Sequence, residues 1–307
     1  MRLPNIITAI ADILAGIAIA GSLIGMTFGA TEPIPLGRLM IEQFNVTTLK
    51  LIGLLVLSTI GLYGGGVVLN DVFDAELDKK ERPERPIPTG LISKRSAAVF
   101  GIILLLIGIA AAALTEPTNI ISAPAIIATV IAFAAVIYDK WMKHNAFFGP
   151  LNMGICRGLN LLLGISITSY ALHEFWHLAI VPVVYIAAIT MISRGEVHGG
   201  KRATLYFAGF LYAAVILTIL KISQLQGTLT KSLPFILMFG LMITLPLQTA
   251  INKPEGSNIG KAVKAGILGL ILMNAAWAAA FGDLIFAGVI FLLLPVSYLL
   301  SRIFAVT

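Results

Sequence analysis

The sequence predicts an all-α, polytopic membrane bundle of nine to ten transmembrane helices, organised as a single domain over residues 1–307. Three observations carry that reading. The 307-residue chain is 58% hydrophobic and only 12% charged, against roughly 25% charged in soluble domains, and its mean hydropathy is +0.95. Apolar runs of about 20 residues, the length at which a helix spans the hydrocarbon of a bilayer, recur from end to end. Lys and Arg concentrate in alternate loops, as the loops of membrane proteins require.

The first run, residues 4–28, contains Asp12 and is too long for the apolar region of a cleaved signal peptide, so it reads as a first span. Further runs follow at 48–70, 95–115, 119–138, 147–169, 178–194, 203–221, 233–250, 259–281 and 284–303. Gly and Pro inside them are ordinary for membrane helices. Only Gly282 and Asp283 separate the last two, which leaves nine spans plus a partial one open. A single cysteine, Cys156, excludes an intramolecular disulfide.

The net charge of +6 suggests no nucleic-acid partner, because the basic residues sit in short loops between spans. With the N-terminus inside, 16 of the 21 Lys and Arg lie on the inner side and four on the outer, and Arg157 falls within a span. Both termini are therefore expected in the cytoplasm, in a multi-pass protein of the cytoplasmic membrane. The polar loops after spans 2, 4 and 6 then share the cytoplasmic face, where a site built from all three would lie.

The chemistry concentrates after span 2, in "NDVFDAELDKKERPERPIPTG", residues 70–90. Six of the chain's fifteen acidic residues fall between Asp71 and Glu84. If the helix continues, Asp71, Asp74 and Asp78 share one face at about 100° per residue, with Asn70 about 100° from Asp71 and Glu76 about 140° away. Carboxylates on one face repel unless cations join them. Mg²⁺ suits such a site, since it takes oxygen ligands and is commonly held by one or two carboxylates together with substrate phosphates. The following Lys79, Lys80, Arg82 and Arg85 are placed to close over phosphate oxygens, Arg with a bidentate fork. A solvated loop whose acids and bases pair with one another is the plainer alternative.

This stretch resembles the first signature of the UbiA superfamily of intramembrane prenyltransferases, N-D-x-x-D-x-x-x-D with a trailing R-x-x-R-P-I-x-x-G. The start "RLPNIITAIADILAG" is similar to that family's first helix, which makes Asn5 a candidate substrate-binding residue. The resemblance implies a prenyl diphosphate donor, an unidentified acceptor and Mg²⁺, in a helical bundle open to membrane lipid. It assigns Asp71, Asp74 and Asp78 to the metal, Asp71 and Asp74 to catalysis, and Asn70, Arg82 and Arg85 to the diphosphate.

The family's second acidic signature is where this chain departs from the pattern. The loop after span 6 reads "SRGEVHGGKRATL", with Glu196 its lone carboxylate, so Glu196 is the candidate second metal ligand or base. Arg194, His198 and Lys201 are candidate substrate contacts beside it. "YDKWMKHN" at the end of span 4 offers Lys140 and Lys143 as diphosphate clamps, with positive-inside anchoring as the bland alternative. Span 5 carries Asn152, Arg157 and Asn160. A charged side chain in lipid faces the bundle interior by default, so these are candidate cavity residues, with a structural pair between Arg157 and Asp12 as the alternative. The acid-poor second loop, with "TAIADILAG" and "GPLNMGICRGLN", also resembles the UbiA-like branch encoded in bacterial Ebo clusters.

Other functions compete. A protein that binds or transports a prenyl lipid without transferring it would use the same intramembrane polar residues. "HEFWH" matches H-E-x-x-H, in which His173 and His177 would bind Zn²⁺ and Glu174 act as base, giving a membrane protease. It lies in a short outer loop with no evident third ligand. The D-G-x-x-A-R pattern of membrane CDP-alcohol phosphotransferases is absent.

Overall fold

The computed structural model describes residues 3–27, 46–119, 121–143, 145, 148–196 and 199–303. Twelve α-helices run through them: α1 Leu3–Thr27, α2 Val46–Phe73, α3 Ala75–Glu81, α4 Lys94–Ala113, α5 Ala123–Ile137, α6 Phe148–Ile165, α7 Ser169–Phe175, α8 Ile180–Ser193, α9 Arg202–Leu225, α10 Leu229–Asn252, α11 Gly256–Ala280 and α12 Leu284–Ile303. A π-helical turn, Tyr138–Met142, extends α5, and a 3₁₀ turn, Trp176–Ala179, joins α7 to α8.

Among the described residues nine helical segments are long and apolar enough to cross a membrane. The segment predicted at 147–169 is not among them, although α6 runs for 18 residues and packs against α1, α5 and α8. Asn152, Arg157 and Asn160 lower its hydropathy, and its neighbours shield those polar groups from lipid. The chain folds as a ring in which sequential helices pack side by side, α12 closing back on α1. Helices α1 and α11 form the middle of the bundle, with 83% of the spanning window of each buried. Helices α9, α10 and α12 turn side chains such as Phe210, Leu241 and Leu292 outward, where lipid replaces water as the solvent.

Between helices in lipid there is little hydrophobic drive, so small residues that permit close backbone approach do much of the joining. Gly61 and Gly65 of α2 face Gly108 and Gly101 of α4, and a Cβ on Gly61 would meet Leu104 O at 2.7 Å. Gly154 and Gly158 of α6 lie equally close to α8 and the 3₁₀ turn before it, each leaving a Cβ only 2.6 Å from a carbonyl oxygen, of Val183 and Ala179 respectively. Helix α4 is started by Ser93, whose side chain accepts from the Ser96 N–H at 3.0 Å and so satisfies one of the donors a helix start leaves open.

The H-E-x-x-H stretch does not form the single helical turn that zinc binding needs. Helix α7 ends at Phe175, between His173 and His177, and the chain turns into the 3₁₀ segment, leaving His173, Glu174 and His177 exposed.

Candidate functional site

Helix α2 carries the acidic motif to the end of the bundle and changes direction at Asp74. The backbone hydrogen bonds persist across the break: Asp74 N–H to Asn70 O at 2.9 Å, Asp78 N–H to Asp74 O at 2.8 Å and Arg82 N–H to Asp78 O at 2.8 Å. Helical angles therefore still apply, and they leave Asp74 about 40° from both Asn70 and Asp78, with Asp71 about 20° from Asp78. The face shared by Asp71, Asp74 and Asp78 is divided by its partners: Asp71 and Asp78 go to Arg85, whereas Asp74 and Asn70 go to the turn after α5.

Arg85 collects the first pair. Its Nη1 donates to Asp71 Oδ1 at 3.2 Å and to Asp78 Oδ2 at 2.8 Å. The second pair meets the π-helical turn. Asn70 Nδ2 donates to Asp139 Oδ1 at 2.8 Å, and the Lys143 ammonium pairs with Asp74 Oδ1. Four residues separate the contacts on both elements, so they form two rungs between the end of α2 and the turn. The π geometry matters here. In an α-helix Tyr138 and Lys143 would project about 140° apart, but the wider turn, closed by Lys143 N–H to Tyr138 O at 3.0 Å, lets both line the same cavity.

That cavity has a volume of about 480 Å³ and is walled by α1, α2, α5, α6, α8 and α11. One end is polar, with Asn70, Asp74, Asp139, Lys143 and Glu196. Its body is apolar, with Leu62, Val67, Ile131, Ile189, Ile267 and Leu270 among the walls. Glu196 reaches it from the loop after α8. That loop turns at Gly199, whose φ of +81° is a left-handed conformation that favours glycine. Gly200 N–H then ties the loop to Pro254 O at 3.2 Å. Burial raises the Glu196 carboxyl above its usual value. Glu76, which helical geometry turns away from the motif, is instead exposed and lowered by its hydrogen bond to Lys79.

Deeper in the cavity lies a buried polar network. Arg157 donates to Asp12 Oδ2 at 2.8 Å and to Thr8 Oγ1 at 2.7 Å, and sits 5.5 Å from the centre of the Tyr63 ring. Asp12, 1% exposed, also accepts from Asn160 at 3.1 Å and Asn274 at 2.7 Å. Thr59 completes the set by donating to Asn160 Oδ1 at 2.8 Å. A charge buried in lipid is tolerated when paired and hydrogen-bonded in this way.

An allylic diphosphate has one polyanionic end and one apolar tail, and this cavity has a charged mouth and an oily body. The chain matches the model of the UbiA prenyltransferase family over residues 21–257. It belongs to that family. This UbiA-family chain is 34% identical over 174 residues to the digeranylgeranylglyceryl phosphate synthase of Saccharolobus solfataricus, an overlap covering 56% of each chain. It is 37% identical over 108 residues to the synthase of the same name from Methanococcoides burtonii, covering 35% of this chain and 37% of that one. The chain thus spans about half or less of the length of these relatives. A solved UbiA homologue from Aeropyrum pernix K1 superposes with a TM-score of 0.65 at 15% identity, covering 90% of this chain and 98% of that one. A second solved structure, from work on digeranylgeranylglyceryl phosphate synthase in membranes, gives a TM-score of 0.58 at 20% identity over 91% and 98%. Both likenesses concern the fold. With its apolar helices, family membership makes this an integral membrane protein.

The candidate residues distribute unevenly over this UbiA bundle. Asn5, Asn70, Asp74, Lys143, Arg157 and Glu196 line the cavity. Asp71, Asp78 and Arg85 form the bridged group beside it. Asn152 is buried and donates to Ala134 O at 2.7 Å, joining α6 to α5. Arg82, Lys140, Arg194 and Lys201 are exposed; Lys140 lies 4.3 Å from the centre of the Trp141 ring and Arg194 donates to Asn145 O at 3.2 Å. His198 lies outside the described residues. Asp139 is not among the candidates drawn from the sequence, although an acid at the end of an apolar run is itself a signal.

The donor chemistry fits a hard divalent cation, because the cavity mouth offers carboxylate and amide oxygens. Among the described residues no three His, Cys, Asp or Glu side chains gather closely enough to cage a metal. The fit is therefore to a cation shared with substrate oxygens, the usual habit of Mg²⁺.

Proposed function

We propose that this chain is a Mg²⁺-dependent prenyltransferase that moves an isoprenoid group from a prenyl diphosphate to an acceptor within the membrane. The single observation that carries the reading is the cavity in which Asn70, Asp74, Lys143 and Glu196 head an apolar chamber. Asp74, Asn70 and Glu196 would hold the cation together with the diphosphate. When bound, it supplies charge neutralisation for the departing diphosphate. Lys143 would hold a diphosphate oxygen through a charge-assisted hydrogen bond, and Arg85 would keep Asp71 and Asp78 in register beneath. Leu62, Val67, Ile189 and Ile267 would enclose the allylic chain and exclude water that would otherwise quench the reacting carbon. The allylic C–O bond breaks with its electron pair going to the diphosphate. The acceptor bonds to C1, and its proton leaves to the released diphosphate or a base.

The relatives' name makes a geranylgeranyl donor and a prenylated glyceryl phosphate acceptor the first pair to test. The Lys and Arg distribution supports a cytoplasmic mouth and cytoplasmic termini. An impermeant maleimide added to intact cells would then label a His173→Cys variant but not a Lys253→Cys variant, both in a Cys156→Ser background.

One observation favours a second reading, a prenyl-lipid binding protein without transferase activity. Each first-motif Asp is already paired with a cation, Arg85 or Lys143. The assay that separates the two is incubation of purified protein with Mg²⁺, labelled C10 to C20 prenyl diphosphates and a lipid extract. Prenylated product lost in Asp74→Ala supports the transferase. Binding of the donor with no diphosphate release for any chain length supports the carrier.

A further inference from the structure

The loop after α8 supplies a single carboxylate, Glu196, so a cation held from both walls of the cavity mouth needs another acid from elsewhere. We infer that Asp139, in the π-helical turn after α5, is that acid: it is a metal-holding carboxylate of this chain's diphosphate site, taking the place of the acids missing around Glu196. The inference rests on the prenyl diphosphate reading above.

The charges at the cavity mouth lead to Asp139. The carboxylates lining the cavity are Asp74, Asp139 and Glu196, and its lining cations are Lys143 and Arg157. Arg157 is committed to Asp12, and Lys143 to Asp74. Asp139 and Glu196 have no ion pair among the described residues. Asp139 and Glu196 are thus the two cavity carboxylates that Lys143 and Arg157 leave without an ion pair.

Asp139 is also built to be there. It is 5% exposed, and Asn70 occupies only Oδ1, at 2.8 Å. Oδ2 has no hydrogen-bond partner among the described residues and belongs to a residue lining the cavity. Oδ2 is therefore open to the cavity, where a cation or donor can reach it. The Asn70 bond fixes the side chain against α2, one rung from the Lys143–Asp74 pair, so it arrives beside the first motif without reorganisation. Lys140 and Trp141, its neighbours in the turn, are exposed. The turn therefore directs Tyr138, its acid and the following Lys143 to the cavity.

The Asp139→Asn substitution tests this cleanly, because an amide oxygen still accepts from Asn70 while the charge is gone. Binding of Mn²⁺ to purified protein, with inorganic diphosphate as the probe, is read by electron paramagnetic resonance of the free ion. Asp139→Asn is expected to weaken Mn²⁺ binding at least tenfold, Asp139→Glu to retain most of it, and the exposed Glu76→Gln to leave it unchanged. Thermal melts confirm that each variant is folded. If Asp139→Asn misfolds, Asp139→Glu against Asp139→Gln makes the same comparison of charge at nearly equal size. Wild-type Mn²⁺ affinity in a folded, uncharged variant would overturn the inference and reduce Asp139 to a residue that positions Asn70. The transferase reading would survive that result if the wild type turns over prenyl diphosphate. Conversely, weakened Mn²⁺ binding in Asp139→Asn with no turnover by the wild type would uphold the metal ligand and sink the transferase.

Discussion

Asp12 and Arg157, 145 residues apart in the chain, form an ion pair at 2.8 Å in the middle of the helical bundle. Asp12 also accepts from Asn160 and Asn274, so one carboxylate joins α1, α6 and α11. Removing one partner of a buried pair strands the other charge, at a cost of about 3–5 kcal/mol, whereas replacing both with apolar residues is often neutral. Asp12→Ala should therefore lower the melting temperature of the solubilised protein sharply. The double variant Asp12→Leu, Arg157→Met should recover much of the loss. Equal melting of the single and double variants would show that the pair does not act as a unit.

Arg85 makes the same kind of argument at the bundle's edge. Its Nη1 is shared by Asp71 and Asp78, whose side chains would otherwise repel across about 20° of helix. Asp78 is only 7% exposed, so water cannot fully substitute for the guanidinium. Losing a partner of a buried acceptor costs about 1–3 kcal/mol. Arg85→Ala should loosen α3, seen as hydrogen exchange of residues 75–82 faster by about tenfold, the equivalent of ~1.4 kcal/mol. Unchanged exchange would mean that the backbone bonds across Asp74 hold the segment unaided.

Much of this was legible in the sequence, and the parts that were not have physical causes. Apolar run length placed the spans, because lipid demands about 20 residues whatever the packing. The 100° helical period placed Asp71, Asp74 and Asp78 on one face, of which the structure gives Asp74 to Lys143 and the other two to Arg85. It did not reveal that Arg85 folds back to join them, since a loop's return path is not periodic. Asp139 escaped because its approach to the cavity depends on a π-helical turn and on Asn70 in another helix. Cavity-lining and structural roles for Arg157 stood as alternatives in the sequence, and the structure combines them: Arg157 both lines the cavity and pairs with Asp12. Tertiary contact between α1 and α6 is what joins the two.

Glu196 predicts a pH dependence. Burial raises its carboxyl above the usual value, so between the unfolded and folded pKa the native state holds the proton more firmly than the unfolded chain. Stability is then highest below the unfolded value and falls as pH rises through the raised one. In buffer free of divalent cations, melting temperature should decline from the ordinary carboxylate range upward, and Glu196→Gln should flatten that decline. A parallel decline in the variant would assign it to other groups.

The contact between α1 and α6 gives the sharpest test of how the helices are held. A Cβ on Gly164 would collide with Ile13 O and come within 3.0 Å of Gly16 Cα, and one on Gly16 would collide in turn with Leu161 O. The obstacles are backbone atoms, which no side-chain rotation can clear. Adding a methyl group there should cost about 1–3 kcal/mol, the usual penalty of overpacking. A Cβ added to Gly53, on the lipid-facing side of α2, would meet nothing within 4 Å. There alanine should stabilise by up to about 1 kcal/mol, because glycine is the poorer helix former. Thermal melts of Gly164→Ala and Gly53→Ala should therefore move in opposite directions. Because α1 and α6 also carry Asp12 and Arg157, Gly164→Ala should further separate that pair, and its effect should be smaller in the Asp12→Leu, Arg157→Met background. Strict additivity would show that helix contact and ion pair stabilise the bundle independently.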